Sequence, residues 1–285
     1  MRLFNTVSAA ALAAAGLASA AFAAEVETHI TDKDFVFEGP FGIYDQAQLQ
    51  RGFQIYNEVC SSCHGMQYVA FRTLGAETGP GFPEEQVKAI AARYEVENEE
   101  GDYVPLEPTD YFPTPEYFGD GNPPDLSLIA KARAGFHGPE GTGLNQLFKG
   151  MGGPEYLYSL MLGYEDPPAC AAEADMGAYY YNAAFPNGAY PEECVDEEGH
   201  RMAPGSWIAM PPQIYEGTVE YADGTEPTAR QHAEDVAAFL MWAAEPKLVE
   251  RKEAGLRNIL WLGLLAVLMY YVNKRIWAPV KGEDA

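Results

Sequence analysis

Cysteine is scarce: the 285-residue chain has four, and no second Cys or His pair lies close to Cys60 and Cys63. That absence argues against a zinc site, which gathers its ligands from such pairs. No strand pattern precedes Cys60, so the βαβ setting of a thioredoxin-like redox pair is missing too. Basic residues are also few, 18 against 42 acidic ones, for a net charge of −24. A field of that sign repels nucleic acid. There is no internal repeat and no strand long enough to anchor a sheet. Long apolar stretches occur only near the two ends.

What stands at the centre of these absences is Cys60-Ser61-Ser62-Cys63-His64. It is the C-x-x-C-H pattern of covalent haem attachment. One turn of helix-like backbone places both sulfurs under the two vinyl groups of one porphyrin edge. The next side chain then points back at the iron as its proximal ligand. One haem c, held by two thioethers, is the expected cofactor.

The apolar ends give the location. Residues 1–23 combine a basic Arg2, an Ala- and Leu-rich stretch and Ala21-Phe22-Ala23 as a small-x-small cleavage site, which reads as a secretory signal peptide. Its removal takes Arg2 and leaves a charge of −25. Near the other end, Ile259 to Val272 is an uninterrupted apolar run of 14 residues. Arg251, Lys252 and Arg257 precede it, Lys274 and Arg275 follow it, and Trp261, Tyr270, Tyr271 and Trp277 take interfacial positions. A helix from Pro246 to Val272 is about 40 Å long, enough to cross a bilayer. The expected division is a signal peptide 1–23, an exported domain 24–246, an anchor helix 247–273 and a cytoplasmic tail 274–285. Orientation rests on the signal peptide, because positive charge flanks both ends of the span. In an oxidising compartment Cys170 and Cys194 are expected to form a disulfide, the alternative being two free thiols. The link spans 24 positions and is worth about 3 kcal/mol in the chain-entropy account.

Helical spacing is clearest in two places. Asp45 to Val59 repeats Leu49, Gly52, Phe53, Tyr56 and Val59 on one side, with Asp45 and Gln48 as a capping-box start. Thr228 to Glu245 opens on Thr228 and Gln231, carries Val236, Phe239, Leu240 and Trp242, and stops before Pro246. Gly52 would let the two helices approach closely. Lys131 to Ala134 and Tyr156 to Leu162 read as short helical pieces. Residues 75–125 and 163–227 are dense in Gly, Pro, Asp and Glu and read as loops. The class is mostly α with long connections.

A sixth iron ligand must come from far along the chain. Met66 is too close to His64, Met241 lies inside a helix, and Met269 lies in the span. Met161, Met176 and Met202 have weaker contexts. Met151 is a rival because Gly150, Gly152 and Gly153 would let backbone approach a ring. Met210 is preferred, since Pro211 and Pro212 stiffen the segment that would hold a weak thioether ligand at fixed distance. His29, His137, His200 and His232 are the imidazole alternatives. A Met/His pair raises the reduction potential, which suits a late electron carrier.

Several segments together resemble the cytochrome c1 family of the cytochrome bc1 complex, in its proteobacterial form. They are Tyr56 to Gly65, Pro123-Pro124-Asp125-Leu126-Ser127, Lys131-Ala132-Arg133, Gly153-Pro154-Glu155-Tyr156, Met210-Pro211-Pro212, and Asp235 to Lys247 leading into the anchor. The resemblance implies a monohaem cytochrome c-like domain with long loop insertions plus one C-terminal transmembrane helix. It implies Cys60 and Cys63 on the porphyrin, His64 and Met210 as axial ligands, Arg133 near a haem propionate and Tyr156 lining the pocket. The implied role is passing single electrons from a Rieske iron–sulfur protein to a soluble c-type cytochrome, within a dimeric complex that also contains cytochrome b. The implied site is the bacterial inner membrane, with the haem domain in the periplasm. Catalysis belongs to the assembled quinol:cytochrome c oxidoreductase; this chain alone makes no bonds. The acidic surface would attract a basic carrier. Two other readings stay open: a tethered cytochrome c serving another respiratory complex, and a haem sensor or enzyme with five-coordinate iron.

Overall fold

The computed structural model describes residues 27–119, 121–133, 148, 150 and 152–282. The signal-peptide reading and the candidates Met151 and His137 lie outside the described residues.

Helix α1 (Gln46–Ile55) starts where the Asp45 carboxylate accepts the Gln48 amide at 2.7 Å. Helix α5 (Ala229–Ala244) starts the same way, with Thr228 Oγ1 accepting from the Gln231 amide at 3.1 Å. Each cap satisfies an orphan amide of the first turn. The reciprocal half of the capping box does not form, because both Gln side chains bond elsewhere: Gln48 to Glu234 and Gln231 to Asp235. The two helices touch through their backbones: a Cβ at Gly52 would stand 2.1 Å from the Asp235 carbonyl oxygen. Around that contact Phe53, Tyr56, Phe239 and Trp242 are buried, with Phe53 edge-on to Phe239 at 5.7 Å. Asp235 is wholly buried beside them, and a two-pronged bond from Arg51 (2.8 and 3.1 Å) compensates its lost hydration.

The helix expected to run to Val59 changes character first. After Ile55 it widens into a π turn over Tyr56–Cys60, closed by the Ser61 amide on the Tyr56 carbonyl at 2.8 Å. Such bulges occur often at functional sites. Within the stretch read as loop, α2 (Glu84–Ala91) buries Val87, Ile90 and Ala91 behind Pro83. The strands β1 (Glu95–Glu97) and β2 (Tyr103–Pro105) form an exposed antiparallel ribbon. Short α3 (Ile129–Ala132) packs on α4 (Gly153–Leu162) through Gly153, where a Cβ would lie 1.5 Å from the Ala130 carbonyl oxygen. A second ribbon pairs β3 (Tyr180–Asn182) with β4 (Ser206–Ile208), Tyr181 opposite Trp207. Ribbons of three-residue strands leave the class mostly α.

Helix α6 (Leu248–Lys281) is longer than the expected Pro246–Val272. Its 34 residues make about 51 Å. None of its most apolar 18-residue window is buried, as an anchor that meets lipid requires.

Candidate haem-binding site

The π turn ends at Cys60, and the chain doubles back at once. The amides of Cys63 and His64 both bond to the Cys60 carbonyl, at 3.1 and 2.9 Å. That tight loop turns Cys60, Cys63 and His64 into one cavity of about 550 Å³, well within the ~300–1,000 Å³ of ligand sites. Leu126, Ile129, Leu157, Leu160, Val236 and Leu240 supply much of its apolar wall. Burial pushes the Cys60 thiol up to about 12. The His64 imidazole is held below its usual range by burial, which outweighs its bond to Pro124 and the nearby Asp125.

His64 is oriented by a neighbouring loop. Its Nδ1 lies 2.7 Å from the Pro124 carbonyl oxygen, so Nδ1 carries the proton and the Nε2 lone pair is left for a metal. The loop is fixed in turn: Asp125 accepts the amides of Gln67 and Ser127, Ser127 Oγ accepts the Tyr68 amide, and the Leu126 amide bonds to Gly65. Nothing local in the sequence marks Pro124 as the partner of His64. The contact joins positions 60 residues apart.

Arg133, Tyr156 and Met210 line the same cavity. Burial raises the Tyr156 phenol, and a bond from Arg133 partly counters that. Met161 lines it as well, so two methionines remain as thioether candidates among the described residues. His232 is buried with both ring nitrogens against carbonyl oxygens, of Tyr215 at 3.2 Å and Val219 at 2.9 Å. His200 sits on the surface beside Asp196. Met66 and Met241 are core residues, and Met202 is exposed. Among the described residues, no group of three or more His, Cys, Asp or Glu side chains could hold a bare metal ion. Two thiols, an oriented imidazole, a cation and a greasy wall fit a porphyrin instead.

The remaining wall is the surprise. Cys170 and Cys194 are bonded, with Cα atoms 5.2 Å apart. The stapled segment sends Tyr179, Phe185, Asn187, Gly188 and Ala189 into the cavity lining. Its Tyr181 and Cys194 pack in a small cluster with Trp207 of β4, which lines the cavity too. The sequence marks this segment only by its expected disulfide, with no local signal that it borders the cavity.

Known proteins show which family the chain belongs to. The Cytochrome C1 family matches residues 35–280. Cytochrome c1 of Cereibacter sphaeroides is 51% identical over 285 residues, covering 99% of this chain and 98% of that protein. A mitochondrial cytochrome c1 haem protein of Solanum tuberosum is 35% identical over 94% of both chains. A Bradyrhizobium diazoefficiens protein named cytochrome b/c1 is 36% identical over 85% of this chain, the match taking up 34% of its own length. The chain belongs to the cytochrome c1 family.

Proposed function

We propose that the cavity holds one haem c, bonded through Cys60 and Cys63, with His64 and Met210 as the axial ligands of its iron. Family membership makes the chain the haem-bearing electron-transfer subunit of the cytochrome bc1 complex, anchored in the membrane alongside cytochrome b and the Rieske iron–sulfur subunit. The observation that carries the site assignment is the convergence of both thiols and the Pro124-oriented imidazole on one apolar cavity. When bound, haem supplies a one-electron iron couple.

The chain's residues do the rest. Pro124 fixes the tautomer of His64 and raises its strength as a donor. Arg133 offers a cation where a propionate would need one. The apolar wall would keep water off a bound iron, which together with a thioether ligand would raise the potential. The domain stands in the periplasm, residues 274–285 lie in the cytoplasm, and the complex is a dimer. The acceptor is a basic soluble c-type cytochrome, drawn by the acidic runs Glu95 to Asp102 and Glu192 to Glu198.

Met210→Leu in the purified complex tests the ligand set. The haem should stay with the chain after denaturation, while the potential falls sharply and the ferrous iron gains CO binding. If Met161→Leu gives those changes and Met210→Leu does not, the ligand is Met161.

A further inference from the structure

Met210 lies beyond the reach of its own sheet. Strand β4 ends at Ile208, paired with Tyr180, and the chain then runs through Met210 into two prolines that have no amide to donate. The carbonyls can still be held, and each of the three accepts a side-chain bond. Pro211 takes Gln213 Nε2 at 3.1 Å and Pro212 takes the Tyr215 hydroxyl at 3.0 Å. Those partners are only two and three residues away: Gln213 moves with the segment, and Tyr215 reaches the rest of the molecule through its own carbonyl against His232 rather than through the bonded hydroxyl. The Met210 carbonyl is different: it accepts from the Tyr164 hydroxyl at 3.0 Å, across 46 positions.

Tyr164 is itself tied down. It follows the end of α4, the helix whose Tyr156, Leu157, Leu160 and Met161 line the cavity. Tyr164 forms an isolated bridge with Asn182, whose side-chain amide donates to the Leu160 carbonyl at 2.8 Å. The Ala183 amide closes on Gly163 at 2.9 Å. Tyr164 therefore stands on a rigid joint between α4 and β3 and holds the main chain of Met210 at a set distance from the cavity.

We propose that Tyr164 is a positioning residue for the thioether ligand, setting through the Met210 carbonyl how firmly the sulfur stays on the iron and hence the reduction potential. The proposal rests on Met210 being that ligand. Losing one such tether should shift the balance between bound and detached sulfur about five- to tenfold.

The test uses the haem-loaded complex and three variants. Tyr164→Phe removes only the hydroxyl. It should keep covalent haem, weaken the thioether-to-iron charge-transfer band, and lower the potential to a value between wild type and Met210→Leu. Its CO-binding ferrous fraction should rise about five- to tenfold. Tyr215→Phe, which removes the local bond to Pro212, should match wild type in all three readings. A Tyr164→Phe protein with wild-type band, potential and CO response would overturn the proposal. So would a Tyr215→Phe protein that shifts as far as Tyr164→Phe. If Met210→Leu itself leaves band and potential unchanged, the ligand assignment fails and takes the Tyr164 role with it.

Discussion

The two sides of the haem cavity are built by different physics. The side that carries His64 rests on α1 against α5, where Gly52 brings backbones together and Phe53, Tyr56, Phe239 and Trp242 fill the contact. The side that carries Met210 has three-residue strands, a disulfide and tyrosine hydroxyls on carbonyl oxygens. Buried apolar area is the main force fixing that helix pair, with the Arg51–Asp235 bond added to it. A short ribbon buries too little to do the same, and a crosslink with long-range hydrogen bonds supplies the rigidity instead. Damage to the first side should remove the fold. Damage to the second should leave the fold and loosen the ligand.

The largest effect should therefore come from Gly52→Val. Its Cβ would meet the Asp235 carbonyl and the Phe239 Cβ, 2.1 and 2.6 Å away, and backbone cannot yield as a flexible side chain can. Overpacking at a helix crossing of this kind belongs among the severe substitutions, roughly 4 kcal/mol or more. Haem-loaded chain should fail to accumulate in membranes, measured by haem staining. Normal accumulation would show that the α1–α5 contact can open without loss.

Replacing both Cys170 and Cys194 with Ser probes the other side. The crosslink contributes about 3 kcal/mol to that segment, and no lone thiol is left to misreact. The haem should remain bonded through Cys60 and Cys63, while the ferrous iron gains CO binding as Phe185 to Ala189 leave the cavity wall. A variant that loses its haem altogether would mean that the two sides are not separable.

The same contrast explains what could be read in advance. Cys60 to His64 and the caps Asp45 and Thr228 are local patterns, and both helices start where those caps put them, though the first turns to a π bulge after Ile55. Helix α2 has no clear sequence signal, because its eight residues give too little periodicity against a Pro- and Gly-rich background. The pairing of β3 with β4 had no alternation to announce it, since strands of three residues hold barely one period. The placement of Tyr179 and Phe185 in the haem cavity, and of Tyr164 on Met210, are tertiary facts with no local signature. The anchor helix ran past its expected end because the basic residues after Val272 also favour a helix.

The smallest effect sharpens the picture at the other end of α4. Its first turn holds Glu155, fully buried, with its carboxyl set against the Glu38 carboxyl and, among the described residues, no cation beside it to balance a charge. Glu38 lies against it from the segment before α1, with Asp32 and Asp34 adding negative field. Burial raises both carboxyls above their usual range, for Glu155 with a further push from Glu38, and this outweighs the helix N-terminus that would favour a charge. The native chain thus keeps a proton that the unfolded chain releases once pH passes the ordinary carboxylate range. Native binding of more protons means stability falls as pH rises from there until the native carboxyl also ionises. Glu155→Gln keeps the shape of the protonated form and removes that loss. Its thermal midpoint should match wild type only below the ordinary carboxylate range and stand a few degrees higher, about 2–4 °C per kcal/mol recovered, at mildly alkaline pH. The haem spectrum should not change, because Tyr164 and Asn182 hold the opposite end of the helix. A midpoint that follows wild type at every pH would show that Glu155 is ionised in the native chain. A shifted haem spectrum would show that both ends of α4 set the ligand, and that the helix joins the two sides of the cavity into one unit.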